Sequence, residues 1–256
     1  MGDTPYSQAQ ANLLDAMIEQ LNAEPLAFVV HVGDITSGAG PCSDAWLEAR
    51  QRQFARIARP FVLLPGDNEW TDCHRGGNDP LERLAKWRSL FCRDDPGIGV
   101  ERQAGEYCEN VRWQVDGAMF IGLNVPGSHN NLGRNARMDA EHAQRMAAVF
   151  GWLDESLALA ESRGARKVFV LMQADPLFER GAARDGYARL RAVLASDARR
   201  LAGRLVLVHG DSHRYRDDEP LPGLRRIEVF GAPDVRWLRA TLLPGRDARL
   251  EVSPAN

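Results

Sequence analysis

Residues 26–34 read Leu-Ala-Phe-Val-Val-His-Val-Gly-Asp, a short apolar run rich in β-branched residues that stops at a Gly-Asp pair. Such a run predicts a strand buried on both faces. The same figure recurs along the chain. Residues 61–64 lead into Pro65-Gly66-Asp67-Asn68-Glu69, residues 167–172 into Gln173-Ala174-Asp175-Pro176, and residues 205–208 into His209-Gly210-Asp211-Ser212-His213. Between them lie segments with helical spacing. Residues 8–23 carry Leu13, Leu14, Met17, Ile18 and Leu21; residues 43–58 have Ser43 as N-cap; residues 81–90, 139–162 and 187–194 follow. Residues 107–115 and 119–125 read as further strands, and 226–230, 236–243 and 249–252 as strands with no helices between them. Alternation followed by a run of strands predicts one layered α/β (α+β) domain with a mixed sheet over residues 1–256.

The bulk properties exclude several classes. Over 256 residues, 44% hydrophobic and 26% charged side chains are ordinary for a folded globular chain. No apolar run approaches the ~18 residues of a membrane span. The formal net charge of -3 gives no bulk basic field for nucleic acid. Of the 32 basic residues only Lys86 and Lys167 are lysines, which reads as genome composition. There is no phosphate-binding G-x-x-x-x-G-K-[ST] loop, no dinucleotide fingerprint, no G-x-S-x-G elbow and no H-E-x-x-H. The opening Gly2-Asp3-Thr4-Pro5 is turn chemistry, and the chain as given shows no signal-peptide pattern.

The polar strand ends carry the functional signal. In sheets with helical crossovers, the carboxyl ends of the strands share one crevice. Asp34, Asp67, Asp211 and His213 on such an edge concentrate negative charge, and grouped carboxylates need a cation between them. Oxygen ligands with one imidazole suit a hard divalent ion. A single Gly-Asp after a strand is ordinarily a turn or a helix cap; repetition at three strand ends points to a functional edge.

Gly2-Asp3, Gly33-Asp34, Gly66-Asp67-Asn68-Glu69, the strand ending at Gln173, and Gly210-Asp211-Ser212-His213 appear in the order and spacing of the calcineurin-like metallophosphoesterases, which the chain resembles over most of its length. Residues 2–6 and 66–75 resemble a divergent bacterial branch. The resemblance implies a four-layer αββα sandwich and two metal ions sharing a bridging aspartate and a hydroxide that attacks phosphorus. It makes Asp3, Asp34, Asp67, Gln173, Asp211 and His213 the metal ligands, with Asp34 bridging. Pro5, Asn68, Gln173 and Asp211 stand where the family has histidines, and Asp67 where it has asparagine. The oxygen-rich set favours magnesium, manganese or calcium over zinc or iron. The implied activity is hydrolysis of a small phosphomonoester, phosphodiester or nucleotide; the alternative is a non-catalytic member that binds a ligand through the altered site. The resemblance also implies that the first central strand is missing or truncated, leaving Asp3 on a fraying end.

Asn68 and His74 are the catalytic candidates, for orienting the leaving group or phosphoryl oxygens. Asn124, His129 and Arg75 are candidates for binding substrate, beside Arg214 and Arg216; an Asx-rich turn and ordinary surface arginines are the plain readings. His31 reads as a satisfied structural histidine, Trp70 as packing, and His142 as solvent-facing. Cys42 and Cys73 lie in loops just past two edge aspartates, so a Cys42–Cys73 disulfide is plausible, leaving Cys92 with Cys108. Four cysteines allow three pairings, and reduced buried thiols are the ordinary alternative. Disulfides would place the chain in an oxidising compartment, periplasmic or secreted.

Overall fold

A computed structural model describes residues 1–92, 95–179, 185–243, 245 and 248–255. The alternation of strands and helices forms as the hydrophobic spacing predicts. Strands β1 (Val29–His31) and β2 (Phe61–Leu63) pair in parallel. A seven-stranded sheet follows, from β3 (Glu101–Arg102), β4 (Val111–Val115), β5 (Ala118–Gly122), β6 (Lys167–Leu171), β7 (Leu205–His209), β8 (Arg216–Leu221) and β9 (Leu224–Glu228), in the order 3-4-5-6-7-9-8. Its centre, β5, β6, β7 and β9, is parallel; β4 and β8 are antiparallel to their neighbours. Strands β10 (Leu238–Leu242) and β11 (Leu250–Pro254) form a hairpin.

Three cores define four layers. Helices Gln8–Ala23, Asp44–Phe54 and Pro80–Phe91 bury Leu14, Ile18, Leu47 and Trp87 with Val29, Leu63 and Trp237. Between the sheets lie Val62, Leu64, Trp113, Phe169, Leu171, Val206 and Ile227. Helices Ala136–Ser162 and Ala188–Arg200 cover the far face of the large sheet with Val149, Leu153, Leu157, Leu190 and Leu194. This is an αββα sandwich with a mixed sheet.

Some boundaries move for identifiable reasons. The long helix starts at Ala136, not Asp139, because Asn135 caps it by accepting the Met138 N–H at 3.0 Å. Strand β8 has no apolar alternation. It forms at the sheet edge, where Pro220 is tolerated and Asp217 and Asp218 pair with Arg225 and Arg226 across the ladder at 2.7 and 2.6 Å.

The chain start also departs from expectation. Met1–Asp3 form a short segment beside β1 that does not fray. The Met1 amine donates to Val30 O, Val32 N–H donates to Met1 O, and Asp3 N–H donates to Gly33 O, at 3.0, 2.9 and 2.9 Å. Asp3 O accepts from Ala232 N–H on the other side. Both Met1 and Asp3 are buried. Beside this segment lies an apolar groove of about 420 Å³ lined by Met1, Val30, Phe169, Ile227 and Leu238.

Candidate metal centre

Asp3, Asp34, Asp67, Asp211 and His213 come together where the N-terminal segment and β1, β2 and β7 end. Asp3, Asp34 and Asp67 are 0%, 2% and 5% exposed, and Asp211 is partly exposed. Four of the five sit on left-handed backbone: φ is 52° at Asp3, 62° at Asp34, 80° at Asp211 and 60° at His213. Among the described residues, nine of the twelve non-glycine positions with positive φ lie in loops along this edge. Each such residue costs of order 1 kcal/mol and persists only where its surroundings fix it. Clustering of that strain at one edge marks the edge as built.

The fixing contacts are specific. Glu69, fully buried, accepts N–H bonds from Gly66 at 2.6 Å and from Asp34 and Ile35 at 3.3 Å, so one carboxylate latches the loops after β1 and β2. The Cys42–Cys73 disulfide joins the same two loops further out; Cys92–Cys108 is the second bridge. Four consecutive left-handed residues, Ser128 to Asn131, form a turn that no glycine explains. It is held by buried Arg145, whose guanidinium donates to Asn130 Oδ1 at 2.6 Å and Asn130 O at 2.9 Å, and by Tyr187 Oη, which accepts Asn130 N–H at 3.1 Å. The turn brings Ser128 Oγ to Asp67 Oδ2 at 2.6 Å and Asp72 Oδ1 at 2.8 Å. One hydroxyl proton serves only one acid, so the arrangement favours a proton on the other.

Electrostatics agree with that reading. Burial first, and then the charges of neighbouring acids, holds Asp3 and Asp34 well above the usual carboxylate range. Burial likewise raises Asp67, and raises Asp72 and Asp211 to about 6 and Glu69 to about 7. Among the described residues no arginine or lysine pairs with Asp3, Asp34, Asp67 or Asp211. The nearby arginines engage an outer ring instead: Arg75 with Asp72 at 2.8 Å, and Arg216 with Glu228 at 3.2 Å and Asp175 at 3.4 Å.

The donor chemistry of this array fits a hard divalent cation. Asp3 Oδ2 is buried without a hydrogen-bond partner. Asp67 Oδ2 and Asp211 Oδ1 converge on Gly127, where an added Cβ would meet them at 3.0 and 2.6 Å. Among the described residues the one trio of His, Cys, Asp or Glu donor atoms within 4.8 Å of each other is Cys92, Cys108 and Glu109, whose sulfurs form a disulfide, so the strand-end acids as placed do not bring three such atoms to one point. His213 donates Nδ1–H to Ala232 O at 2.8 Å, which leaves Nε2 facing Tyr6 Oη at 3.0 Å and Asp3 Oδ1 at 3.7 Å.

The remaining candidates divide. Asn68 and Gln173 join the cluster, but through N–H groups directed at Asp34. Arg75 reaches its rim through Asp72 and Gly38 O. His74 is exposed, with Nδ1 bonded to Thr71 O at 2.8 Å. His129 is exposed on the left-handed turn. Asn124 lies in a buried network with Glu109, Asn110 and Arg145. His31 is the satisfied structural histidine expected: Nε2 bonds Thr4 O, Nδ1 accepts Gly33 N–H, and burial lowers it to about 3. His142 is not solvent-facing; it is partly buried and bonds Asn130 O. Tyr6, Glu69 and Asp72 belong to the site and are not among the sequence candidates. Tyr6 and Glu69 lie inside the two quoted motifs, which was the available signal.

No family model and no curated protein sequence matches the chain. Among solved structures, a dimetal phosphatase from Danio rerio superposes with a TM-score of 0.57 at 14% identity, covering 90% of this chain and 86% of that one. The NAD nucleotidase of Haemophilus influenzae superposes with a TM-score of 0.49 at 12% identity, covering 95% of this chain and 44% of that one. The chain thus spans less than half the length of the nucleotidase. These likenesses concern the fold.

Proposed function

We propose that this chain, which has the fold of the calcineurin-like metallophosphoesterases, is a divalent-cation-dependent hydrolase of small phosphoesters. One observation carries the reading: Asp3, Asp34, Asp67 and Asp211 converge at strand ends, three of them on left-handed backbone, and among the described residues no arginine or lysine pairs with them. Asp3 Oδ2 has no hydrogen-bond partner, and Asp67 Oδ2 and Asp211 Oδ1 converge on Gly127. Bound there, a divalent cation polarises a phosphoryl oxygen and makes water more acidic. An all-carboxylate set favours magnesium, manganese or calcium.

The chain's own residues supply the rest. Arg75 flanks the acids, with guanidinium N–H groups beyond its Asp72 ion pair that can donate to phosphate oxygens, while Arg216 is engaged by Glu228, Asp175 and Ser212. His129 and Arg75 are exposed, and Asp211 is partly exposed. A small phosphomonoester, phosphodiester or nucleotide suits this rim, and the net charge of -3 disfavours a nucleic-acid polymer. The two disulfides support residence in an oxidising compartment.

A second reading, a non-catalytic ligand-binding site, is favoured by the four hydrogen bonds that occupy Asp34. Assaying p-nitrophenyl phosphate, bis(p-nitrophenyl) phosphate and nucleoside monophosphates with magnesium, manganese and calcium separates the two. Hydrolysis that requires an added cation is expected. Cation uptake without turnover of any of these substrates supports the second reading instead.

A further inference from the structure

Two aromatic rings outside the three cores stand beside the strand-end acids. Tyr215 follows His213 by two residues and Phe230 directly precedes Gly231, and their rings stack with centroids 5.1 Å apart and planes 20° from parallel. Neither belongs to the hydrophobic clusters that hold the layers together, and both are partly exposed. Close packing ties the pair to the site. A Cβ added to Gly231 would meet His213 Cδ2 at 2.8 Å and Asp3 Cβ at 2.6 Å, and Ala232 O accepts His213 Nδ1–H at 2.8 Å. His213 also meets the Tyr6 ring edge-on, with centroids 5.3 Å apart.

The stack has room to grow at one end. Phe230 has two partners, the Tyr215 ring and the Arg236 guanidinium 4.4 Å from its centroid. Tyr215 has Phe230 alone: among the described residues no other ring or guanidinium stacks on it. A partly exposed ring with one stacking partner has a second face for another. Arg214 and Arg236 adjoin the pair and are exposed, and among the described residues neither guanidinium is paired with an acid. Arg75, Arg216 and Arg226, by contrast, each bond carboxylates. Two unpaired cations beside stacked rings suit a ligand that is both planar and anionic.

We propose that Tyr215 and Phe230 form a stacking subsite for the base of a nucleoside monophosphate whose phosphate lies at the strand-end acids, with Arg214 and Arg236 balancing its charge. The chain distance is in keeping: two residues span at most about 7 Å from His213 to Tyr215, the order of one sugar between phosphate and base. Stacking on an aromatic side chain takes any base by its π-face, so the subsite selects for a base without reading which one. This rests on the phosphoester reading of the site and narrows it to substrates that carry a base.

The test compares the non-hydrolysable phosphonate analogues of adenosine 5′-monophosphate and ribose 5-phosphate, which share sugar and anion and differ in the base. Binding of each to the full chain with manganese is measured by isothermal titration calorimetry, beside turnover of p-nitrophenyl phosphate. The analogue with the base should bind at least about fivefold tighter. Tyr215→Ala should cut that ratio at least about threefold, and Tyr215→Phe, which keeps the ring, should preserve it. A smaller ratio in the wild-type chain, or one that Tyr215→Ala leaves unchanged, overturns the subsite alone. Absence of turnover with magnesium, manganese and calcium overturns the hydrolase reading, and a base preference that persists there supports the subsite on a ligand-binding protein. The wild-type ratio needs no variant, so a poorly folding Tyr215→Ala leaves the proposal open to refutation.

Discussion

The side-chain amide of Gln173 reaches the carboxylate of Asp34 at 3.1 Å across 139 positions of sequence, and the same nitrogen lies 3.3 Å from Asp211. One neutral donor thus sits between two acids that would otherwise face each other. Replacing it by an acid of the same shape removes the donors and adds a third charge. Gln173→Glu should therefore lower stability by roughly 1–3 kcal/mol at pH 8 without added cation. Manganese should restore a measurable part of that loss. Urea titrations with chelator and with manganese check this; an unchanged midpoint with chelator contradicts it.

Glu69 is the latch between the two Gly-Asp loops. A Glu69→Gln variant keeps one acceptor oxygen but turns an amide N–H toward a backbone N–H of Gly66, Asp34 or Ile35. A loss of roughly 1–3 kcal/mol is expected from the unsatisfied donor. Because the latch positions both Asp34 and Asp67, manganese affinity should fall too. Full stability and full affinity in the variant would show the latch to be dispensable.

Two sets of groups give stability opposite pH dependences. The acids bind protons more tightly in the folded chain than in the unfolded one, at about 6 for Asp72 and Asp211 and about 7 for Glu69. Raising the pH from about 4 to about 7 therefore costs stability through them. The buried neutral histidines His31 and His209, lowered by burial to about 3 and about 4, act the other way. They remove stability as pH falls below their ordinary value of 6.5 toward those folded values. The cation-dependent part isolates the acids. The rise in melting temperature on adding manganese should be larger at pH 7.5 than at pH 5, and an equal or smaller rise at pH 7.5 is the contrary result.

The Cys42–Cys73 bridge closes a loop of 31 positions in sequence and ties the segment after Asp34 to that after Asp67. Chain-entropy arguments give about 3–4 kcal/mol for such a loop. The double variant Cys42→Ala/Cys73→Ala should lose roughly 2–4 kcal/mol by urea titration. Thiol counting on the unfolded, unreduced wild-type chain should find no free thiol. Four reactive thiols there would contradict both bridges.

The strand ends were legible because their signals are local: a short apolar run, then Gly-Asp. Asp34, Asp67, Asp211 and His213 converge for that reason. Where tertiary contacts decide, the sequence is silent. The left-handed turn at Ser128–Asn131 exists because Arg145 and Tyr187, far along the chain, hold Asn130. Strand β8 exists because two arginines of β9 pair with its acids. That Asn68 and Gln173 present hydrogens rather than oxygens to Asp34 depends on Gly127 and on the Asp34 carboxylate, which no spacing rule reveals.

The most direct test is to strip the protein with chelator and titrate manganese back while following both bound ion and hydrolysis of p-nitrophenyl phosphate and its diester. No turnover should remain after stripping. Turnover should return in proportion to ion bound, and Asp211→Asn should lower it by about 100-fold or more at the same added manganese. Hydrolysis that persists undiminished in the stripped chain, or in Asp211→Asn, would contradict the assignment of the activity to these strand-end acids.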